Sequence, residues 1–249
     1  MEETKMITIE LAGLPIGIEN RYPFVARMCR DYITEKTPLF TVSAREEDID
    51  NECEQVRHIN GITSDLPRGY LESIVLYREI AKRLPTYDAF VFHGVALEYE
   101  GQALLFTAKS GVGKTTHTRL WLSRFPDKVK VLNGDKPILR LIDGIPFVFG
   151  SPWQGKENYG YNGKAPLRAL AFVHRAPENR AEPVRDIGTA ILPFLSQTYV
   201  PQHEDSATRV FAITDTILKT ITLTNLYVNM EPEAAEVAAR AMVGEDRME

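Results

Sequence analysis

Residues 108–116 read AKSGVGKTT, and this stretch decides how the rest of the chain is interpreted. It follows an apolar run, ALLF at residues 103–106, and precedes a run with helical character, HTRLWLSRF at residues 117–125. A strand, a glycine-rich loop and a helix in this order form the setting in which Gly-Lys-Thr binds phosphate. The sequence therefore predicts a phosphate-binding loop that leads into a helix.

Each residue type in this loop has a chemical reason to be there. Glycines let the backbone turn its N–H groups around a phosphate, and the following helix adds the positive end of its dipole. Lys114 can reach the β- and γ-phosphates, and the Thr115 hydroxyl can bind Mg²⁺. The usual pattern G-x-x-x-x-G-K-[ST] has a glycine where this chain has Ala108. The predicted nucleotide-binding residues are Ser110, Gly111, Val112, Gly113, Lys114, Thr115 and Thr116.

Composition places the chain among globular proteins. Its 249 residues, 44% of them hydrophobic and 25% charged, suffice for one large domain or for a domain with an added lobe. A net charge of −5 favours neither a nucleic acid nor an anionic membrane as partner. No apolar run approaches the ~18 residues of a membrane span, and the acidic N-terminus lacks the layout of a signal peptide. We therefore expect a cytoplasmic protein, with a homo-oligomer as one of the assemblies it allows.

The spacing of apolar residues predicts an α/β protein. Residues 5–19 alternate as a short strand pair, while residues 22–33 and 70–84 are spaced as helices. From residue 89 onward, short strand-like runs lie close together, which favours a mixed sheet over a purely parallel one. The predicted strands of this part are residues 89–93, 95–99, 103–107, 129–132, 138–142, 146–149, 167–174 and 222–228, and the predicted helices are residues 117–125, 189–199, 207–220 and 233–243.

Asp135 is the residue most suited to act on a phosphoryl acceptor. It follows the apolar strand of residues 129–132 and lies 21 residues beyond Lys114. A carboxylate at the end of a neighbouring strand can face a bound Mg²⁺ and can accept a proton from an attacking hydroxyl. The alternative is an ordinary turn, because Asn-Gly-Asp forms turns by itself.

Residues 150–164, GSPWQGKENYGYNGK, form a predicted long loop that is rich in glycine, polar and aromatic residues. Loops of this kind often cover or bind a substrate. Trp153 could cover a site and Lys156 could meet an anionic group, so both are candidate substrate-loop residues. The alternative is a plain connection in which Trp153 packs as a plug.

Three segments together resemble the kinase core of HPr kinase/phosphorylase, whose nucleotide fold is similar to that of phosphoenolpyruvate carboxykinase. They are His93-Gly94-Val95, the loop SGVGKT and the strand VLNGD that ends in Asp135. The family carries a histidine–glycine strand, a G-x-S-G-x-G-K-S loop and a strand that ends in Asp-Asp. The resemblance covers residues 89–175, and it implies a mixed-sheet P-loop kinase core at residues 89–249. Residues 1–88 are then an N-terminal α+β extension, expected to pack on the core.

The resemblance also implies a role for each matched position. Lys114 and Thr115 would hold ATP and Mg²⁺, with Asp135 as a second metal ligand. Asp135 matches the first aspartate of the family's pair, which implies the base for a serine hydroxyl, and His93 matches the active-site histidine. Three positions or segments differ from the family: Ala108, Lys136 in place of the second aspartate, and FGSPWQGKENYG where the family has a Glu-x-Arg-Gly-type signature.

Three functions remain open at the level of sequence. The first is a Mg-ATP-dependent kinase that phosphorylates a hydroxyl, a serine of a peptide or protein. The second is a small-molecule kinase of the free-serine type on the same core. The third is a nucleotide-binding sensor or adaptor without catalysis, which the replacements at Ala108 and Lys136 favour. A carboxykinase fits less well because its manganese ligands are not identifiable and the chain is short.

Overall fold

The structure is a computed structural model that describes residues 5–60, 66–109 and 111–244, without the side chains of residues 59 and 60. Ser110, one of the predicted phosphate-binding residues, lies outside the described residues. The chain divides into two compact units, Met1–Arg83 and Leu84–Glu249. The assignment of residues 1–88 as an extension and of residues 89–249 as a kinase domain stays a prediction.

The first unit is a small α+β arrangement around a three-stranded sheet. β1 and β2 form the predicted antiparallel pair, and β3 lies parallel to β2. The tight turn between β1 and β2 uses Ala12 and Gly13, both with positive φ. The elements of this unit are β1 (Lys5–Leu11), β2 (Leu14–Asn20), α1 (Pro23–Met28), β3 (Phe40–Ser43), α2 (Glu46–Asn60) and α3 (Arg68–Arg83).

The helix predicted over residues 22–33 is wrong in its length. α1 starts with Pro23 at its first position and ends at Met28, because Cys29 leaves the helical region with φ −89° and ψ 4°. A short 3-10 turn, Arg30–Tyr32, follows. The apolar spacing continues across both pieces, since Cys29 and Tyr32 are buried like Val25. Periodicity therefore indicated the burial of Val25 and Cys29, but Ile33 on the same predicted side is 54% exposed, and the break could not be located.

The second unit is built on a mixed sheet of nine strands. Seven of them follow the order β4-β8-β9-β10-β6-β5-β7, and β12 adds to β10 with β11 on its far side. The strands are β4 (Ala89–Val91), β5 (Val95–Tyr99), β6 (Gln102–Thr107), β7 (Val129–Asn133), β8 (Ile138–Ile142), β9 (Ile145–Phe149), β10 (Lys164–Arg175), β11 (Arg180–Pro183) and β12 (Thr222–Val228). The predicted mixed α/β class is confirmed, whereas β11 had no counterpart in the sequence prediction.

β10 is the strand on which this sheet branches. Its first residues pair antiparallel with β9, and its remaining length pairs in parallel with β6 on one side and β12 on the other. β6 in turn forms the predicted hairpin with β5. The carboxyl ends of β6, β10 and β12 consequently lie side by side, which is where ligands bind in open sheets of this kind.

Four helices cover the two faces of this sheet. They are α4 (Lys114–Arg124), α5 (Gly188–Leu195), α6 (Glu204–Thr220) and α7 (Glu233–Val243). One apolar core contains Trp121 of α4 and the alanines of α7, and the other contains Phe194 of α5 and Ile217 of α6. No helix among the described residues is long and apolar enough to cross a membrane.

A buried histidine lies in the first of these cores. The indole Nε1–H of Trp121 donates to Nε2 of His117 over 2.9 Å, so His117 must be neutral, with its proton on Nδ1. Burial lowers the pKa of His117 from 6.5 to about 4. In the unfolded chain the same imidazole binds a proton at the ordinary histidine pKa, so acid favours unfolding.

We predict that stability falls as the pH drops from 6.5 towards 4, by up to about 3 kcal/mol from His117 alone. The H117Q variant keeps an acceptor for Trp121 but does not titrate. Urea unfolding at several pH values should therefore give a shallower acid slope for the variant than for the wild type. Identical slopes would show that His117 does not carry this dependence.

Candidate functional site

The described part of the loop after β6 contains two glycines in the left-handed region. Gly111 and Gly113 adopt φ +80° and +119°, values that favour glycine strongly over residues with a Cβ. Gly113 precedes α4, so Lys114, Thr115 and Thr116 form the first helical turn, and all three are half-buried. The N–H groups of a first turn have no partner within the helix, and they sit at the positive end of its dipole. This end of α4 therefore suits an anion.

The alanine at the start of the loop does not disturb it. Ala108 is not among the residues with positive φ, so its Cβ causes no backbone strain. Its carbonyl oxygen accepts a hydrogen bond of 3.0 Å from the Lys114 ammonium. The departure from the usual glycine is therefore tolerated, and Lys114 is held over the loop.

Arg175, the last residue of β10, supports the loop from the neighbouring strand. Its Nε donates to the carbonyl of Val112 over 2.8 Å, and its Nη2 donates to that of Gly111 over 2.6 Å. Two loop carbonyls are thus turned towards Arg175. The sequence analysis missed this residue because the pairing of β6 with β10 was not predictable from local pattern.

Asp135 sits in a turn that a buried asparagine builds. The Oδ1 of Asn133 accepts from the backbone N–H of Asp135 (2.9 Å) and of Lys136 (2.7 Å). Its Nδ2 donates to the carbonyl and the hydroxyl of Ser151, both at 3.1 Å. Asn133 and Ser151 are fully buried, so the turn is fixed to the loop that begins at residue 150. Asn-Gly-Asp does form a turn here, and that turn presents a half-buried carboxylate.

His93 follows β4 and faces this carboxylate. Its Nε2 lies 3.5 Å from Oδ1 of Asp135. Its Nδ1 lies 2.9 Å from the amide oxygen of Gln197, which can only accept, so the imidazole proton is on Nδ1. The main chain is paired as well, because the His93 N–H donates to the Gln197 carbonyl over 2.7 Å. In the neutral ring Nε2 is then the unprotonated nitrogen, and it faces Asp135.

The glycine after His93 is required by close packing. A Cβ on Gly94 would lie 2.8 Å from the carbonyl oxygen of Phe106 in β6. The Gly94 N–H donates to the Asp135 carbonyl over 2.9 Å. The His-Gly pair thus draws the ends of β4, β6 and β7 together.

The charges of Lys114, Asp135 and His93 act on one another. The pKa of His93 is lowered, first by burial and next by the positive charge of Lys114, while Asp135 opposes the shift. Burial lowers the pKa of Lys114, and Asp135 again acts in the opposite sense. Lys136 adds a smaller lowering effect on His93. The three predicted catalytic residues therefore form one electrostatically linked group.

Two of the predicted site residues carry oxygen donors that suit Mg²⁺. The Thr115 hydroxyl and the Asp135 carboxylate are hard oxygen ligands of the kind Mg²⁺ prefers. The described residues contain no group of three or more His, Cys, Asp or Glu side chains that could hold a metal by themselves. Mg²⁺ normally takes one or two protein oxygens and completes its shell with water and phosphate oxygens. The donor set suits a metal that arrives with a nucleotide.

The predicted substrate loop is attached to the Asp135 turn along much of its length. The Gly134 N–H donates to the Tyr159 carbonyl over 2.8 Å. Gly155 packs against Asp135, where an added Cβ would lie 3.0 Å from the aspartate Cβ. Trp153 is 8% exposed, so it is packed like a plug, whereas Lys156 is exposed. A role for Trp153 or Lys156 in substrate binding stays a prediction.

No protein-family model matches this sequence, and no curated protein matches it either. Among solved structures, the chain is similar to the HPr(Ser) kinase/phosphatase from Coxiella burnetii, with a TM-score of 0.34 and 8% identity. The similarity covers 60% of this chain and 94% of that one. At this TM-score the likeness does not define a shared fold.

The electrostatic linkage predicts opposite effects of two substitutions on His93. K114M removes a charge that disfavours the imidazolium, so the pKa of His93 should rise, whereas D135N removes a favourable charge and should lower it. NMR titration of the His93 ring protons measures both shifts. K130M, an exposed lysine change on β7, serves as the control and should have no effect. Shifts of the same sign would contradict this arrangement.

Proposed function

We propose that this protein is a Mg-ATP-dependent kinase that transfers the γ-phosphoryl group to a hydroxyl, the side chain of a serine in a peptide or protein. The observation that carries the proposal is the position of the Asp135 carboxylate. It lies beside His93 and acts electrostatically on Lys114 at the helix end suited to an anion. A loop that only binds nucleotide has no need of a half-buried carboxylate and a neutral imidazole at this place.

ATP would lie along the first turn of α4. The N–H groups of Gly113, Lys114 and Thr115 would hold the phosphates, with the Lys114 ammonium at the β- and γ-phosphates. A cavity of about 300 Å³ beside Thr116 and His117 has room for the nucleoside. Thr115 and Asp135 would hold Mg²⁺, which would neutralise charge on the phosphate oxygens.

The transfer step needs a base for the acceptor hydroxyl. Asp135 accepts the hydroxyl proton as the oxygen bonds to the γ-phosphorus, and the bond from that phosphorus to the β–γ bridging oxygen breaks, releasing ADP. Lys114 and the α4 amides stabilise the charge that develops on the transferred group. In phosphoryl transfer much of the rate acceleration comes from positioning the reacting groups. Here that role would fall to the residues that hold the acceptor oxygen next to Asp135.

His93 would take the proton onward from Asp135. Its Nε2 is unprotonated because Nδ1 donates to Gln197, and burial together with Lys114 keeps the ring neutral at neutral pH. Nε2 lies 3.5 Å from the Asp135 oxygen, so a small approach of the two atoms would let the proton pass from the carboxyl group to Nε2. The carboxylate is then ready for the next cycle.

We predict that K114A weakens ATP binding by about tenfold or more, because it removes the charge beside the β- and γ-phosphates while the loop amides remain. Isothermal titration calorimetry with Mg-ATP compares it with the wild type and with K130A, whose lysine lies exposed on β7. Equal affinity in all three proteins would remove the phosphate-loop assignment.

We predict that D135N still binds nucleotide but loses phosphoryl transfer by a factor on the order of 10² or more, because it removes the base. D143N is a matched control, since Asp143 lies in the β8–β9 turn with φ +51°, a conformation that asparagine adopts readily. Transfer from γ-labelled ATP is measured against serine peptides, proteins and free serine. Wild-type protein that binds ATP but phosphorylates none of them would favour the sensor or adaptor.

A further inference from the structure

Another cavity of the second unit lies beside the phosphate loop. It measures about 790 Å³, and its walls are the carboxyl ends of β6 and β10, the middle of β12 at Asn225, and α5 with the two residues that follow it. It belongs to the face of the sheet that α5 and α6 cover, whereas the 300 Å³ cavity adjoins the start of α4. The two cavities share only Val112, Val173 and Arg175 among their lining residues, so the loop and the end of β10 separate them.

The large cavity adjoins the candidate reaction centre through Gln197 and the loop. Gln197 lines the cavity and also holds the imidazole of His93, which faces Asp135. Lys109 and Gly111 of the loop line it from the other side. A ligand in this cavity would therefore lie next to the loop and to the side chain that holds His93, while the nucleoside would occupy the smaller cavity.

The ionisable lining of the large cavity is entirely basic. Lys109, His174 and Arg175 contribute to it, and no aspartate or glutamate does. Lys109 has no carboxylate within ion-pair distance among residues 5–60, 66–109 and 111–244, and Arg175 is bonded to loop carbonyls rather than to an acid. The positive charges of Lys109 and Arg175, with no acidic side chain among the lining residues, attract a carboxylate on the ligand.

The remaining lining indicates an extended ligand with both polar and apolar groups. Uncharged hydrogen-bonding side chains alternate with small apolar ones along α5 and the strand ends. The cavity volume lies in the range that buries ligands of drug size or larger, and a single amino acid would leave most of it empty. The polar members are Thr107, Thr189, Ser196, Gln197 and Asn225, and the apolar members include Val184, Ala190 and Pro193.

We infer that this cavity binds the acceptor, and that the acceptor is a peptide segment with an aspartate or glutamate close to the serine that is phosphorylated. The inference rests on the proposed kinase function and narrows its substrate class. The acidic side chain meets Lys109, His174 and Arg175, while the serine hydroxyl is directed towards Asp135 and His93. A small hydroxy amino acid would use neither the volume nor most of the basic wall.

The first test separates this inference from the kinase proposal by measuring binding and transfer independently. The probe is an octapeptide library with a central serine and one scanned position in each pool. Affinity selection on the protein with Mg²⁺ and a non-hydrolysable ATP analogue should enrich pools with Asp or Glu by about fivefold over pools with Lys or Arg. The same pools should be phosphorylated preferentially when ATP is supplied.

Each outcome of this test has a definite meaning. Acidic peptides that bind without being phosphorylated would overturn the kinase proposal and leave the cavity assignment standing. Phosphorylation without preference for acidic pools, or efficient phosphorylation of free serine alone, would overturn the inference and leave the kinase standing. A protein that neither selects nor phosphorylates any pool would contradict both.

A pair of tryptophan variants tests the cavity itself. Thr189 is exposed on α5 and lines the cavity, so T189W narrows it without changing the core. L192W introduces the same side chain on the same helix at a residue that is 77% exposed and does not line the cavity. T189W should raise the KM for an acidic serine peptide by about tenfold and leave ATP affinity within about twofold, whereas L192W should change neither. Weaker ATP binding by T189W would instead assign the cavity to the nucleotide.

Discussion

The parallel pairing of β6 with β10 is the constraint on which the rest of the second unit depends. It sets Thr107, the last residue of β6, opposite Phe172 and places Arg175 beside the phosphate loop. Without this register the loop carbonyls would lose their guanidinium partner, and the large cavity would lose one wall. The same pairing separates the two apolar cores, because β6 contributes alternate side chains to each.

A second set of contacts holds Asp135 and His93, two residues of the candidate site, in place. Most of these contacts involve the backbone. The Asp135 turn is fixed by the Asn133 side chain and by backbone bonds to the loop of residues 150–164. His93 is fixed by main-chain pairing with Gln197. Such anchoring suits a site whose work is positioning and electrostatic stabilisation, since both require groups that hold their geometry.

Local sequence was sufficient for some elements and not for others. The strand, loop and helix around Gly113 were predictable because each has a local signal. An apolar run indicates the strand, the glycine spacing indicates the loop, and helical periodicity indicates the helix. The β5–β6 hairpin and the position of Asp135 at a strand end followed for the same reason.

The parts that escaped prediction are those that depend on distant pairing. Gln197 lies 104 residues from His93, and nothing in its own neighbourhood marks it as a partner of a histidine. Arg175 meets the loop only because β10 lies next to β6, and β11 was missed because its sequence, RAEP, is short and polar. Trp153 is 8% exposed, a burial that no local pattern indicated, and its role in substrate binding stays a prediction.

The distance between His93 and Gln197 along the chain also bears on how the protein is made. The phosphate loop and Asp135 leave the ribosome well before β10 and the segment that holds the imidazole. During synthesis the β5–β6 hairpin can form early, but one edge of β6 stays open until residue 167 and beyond arrive. An unpaired apolar strand edge invites association with other chains. The emerging chain therefore has an interval in which shielding of this edge, as by a chaperone, would protect it from association.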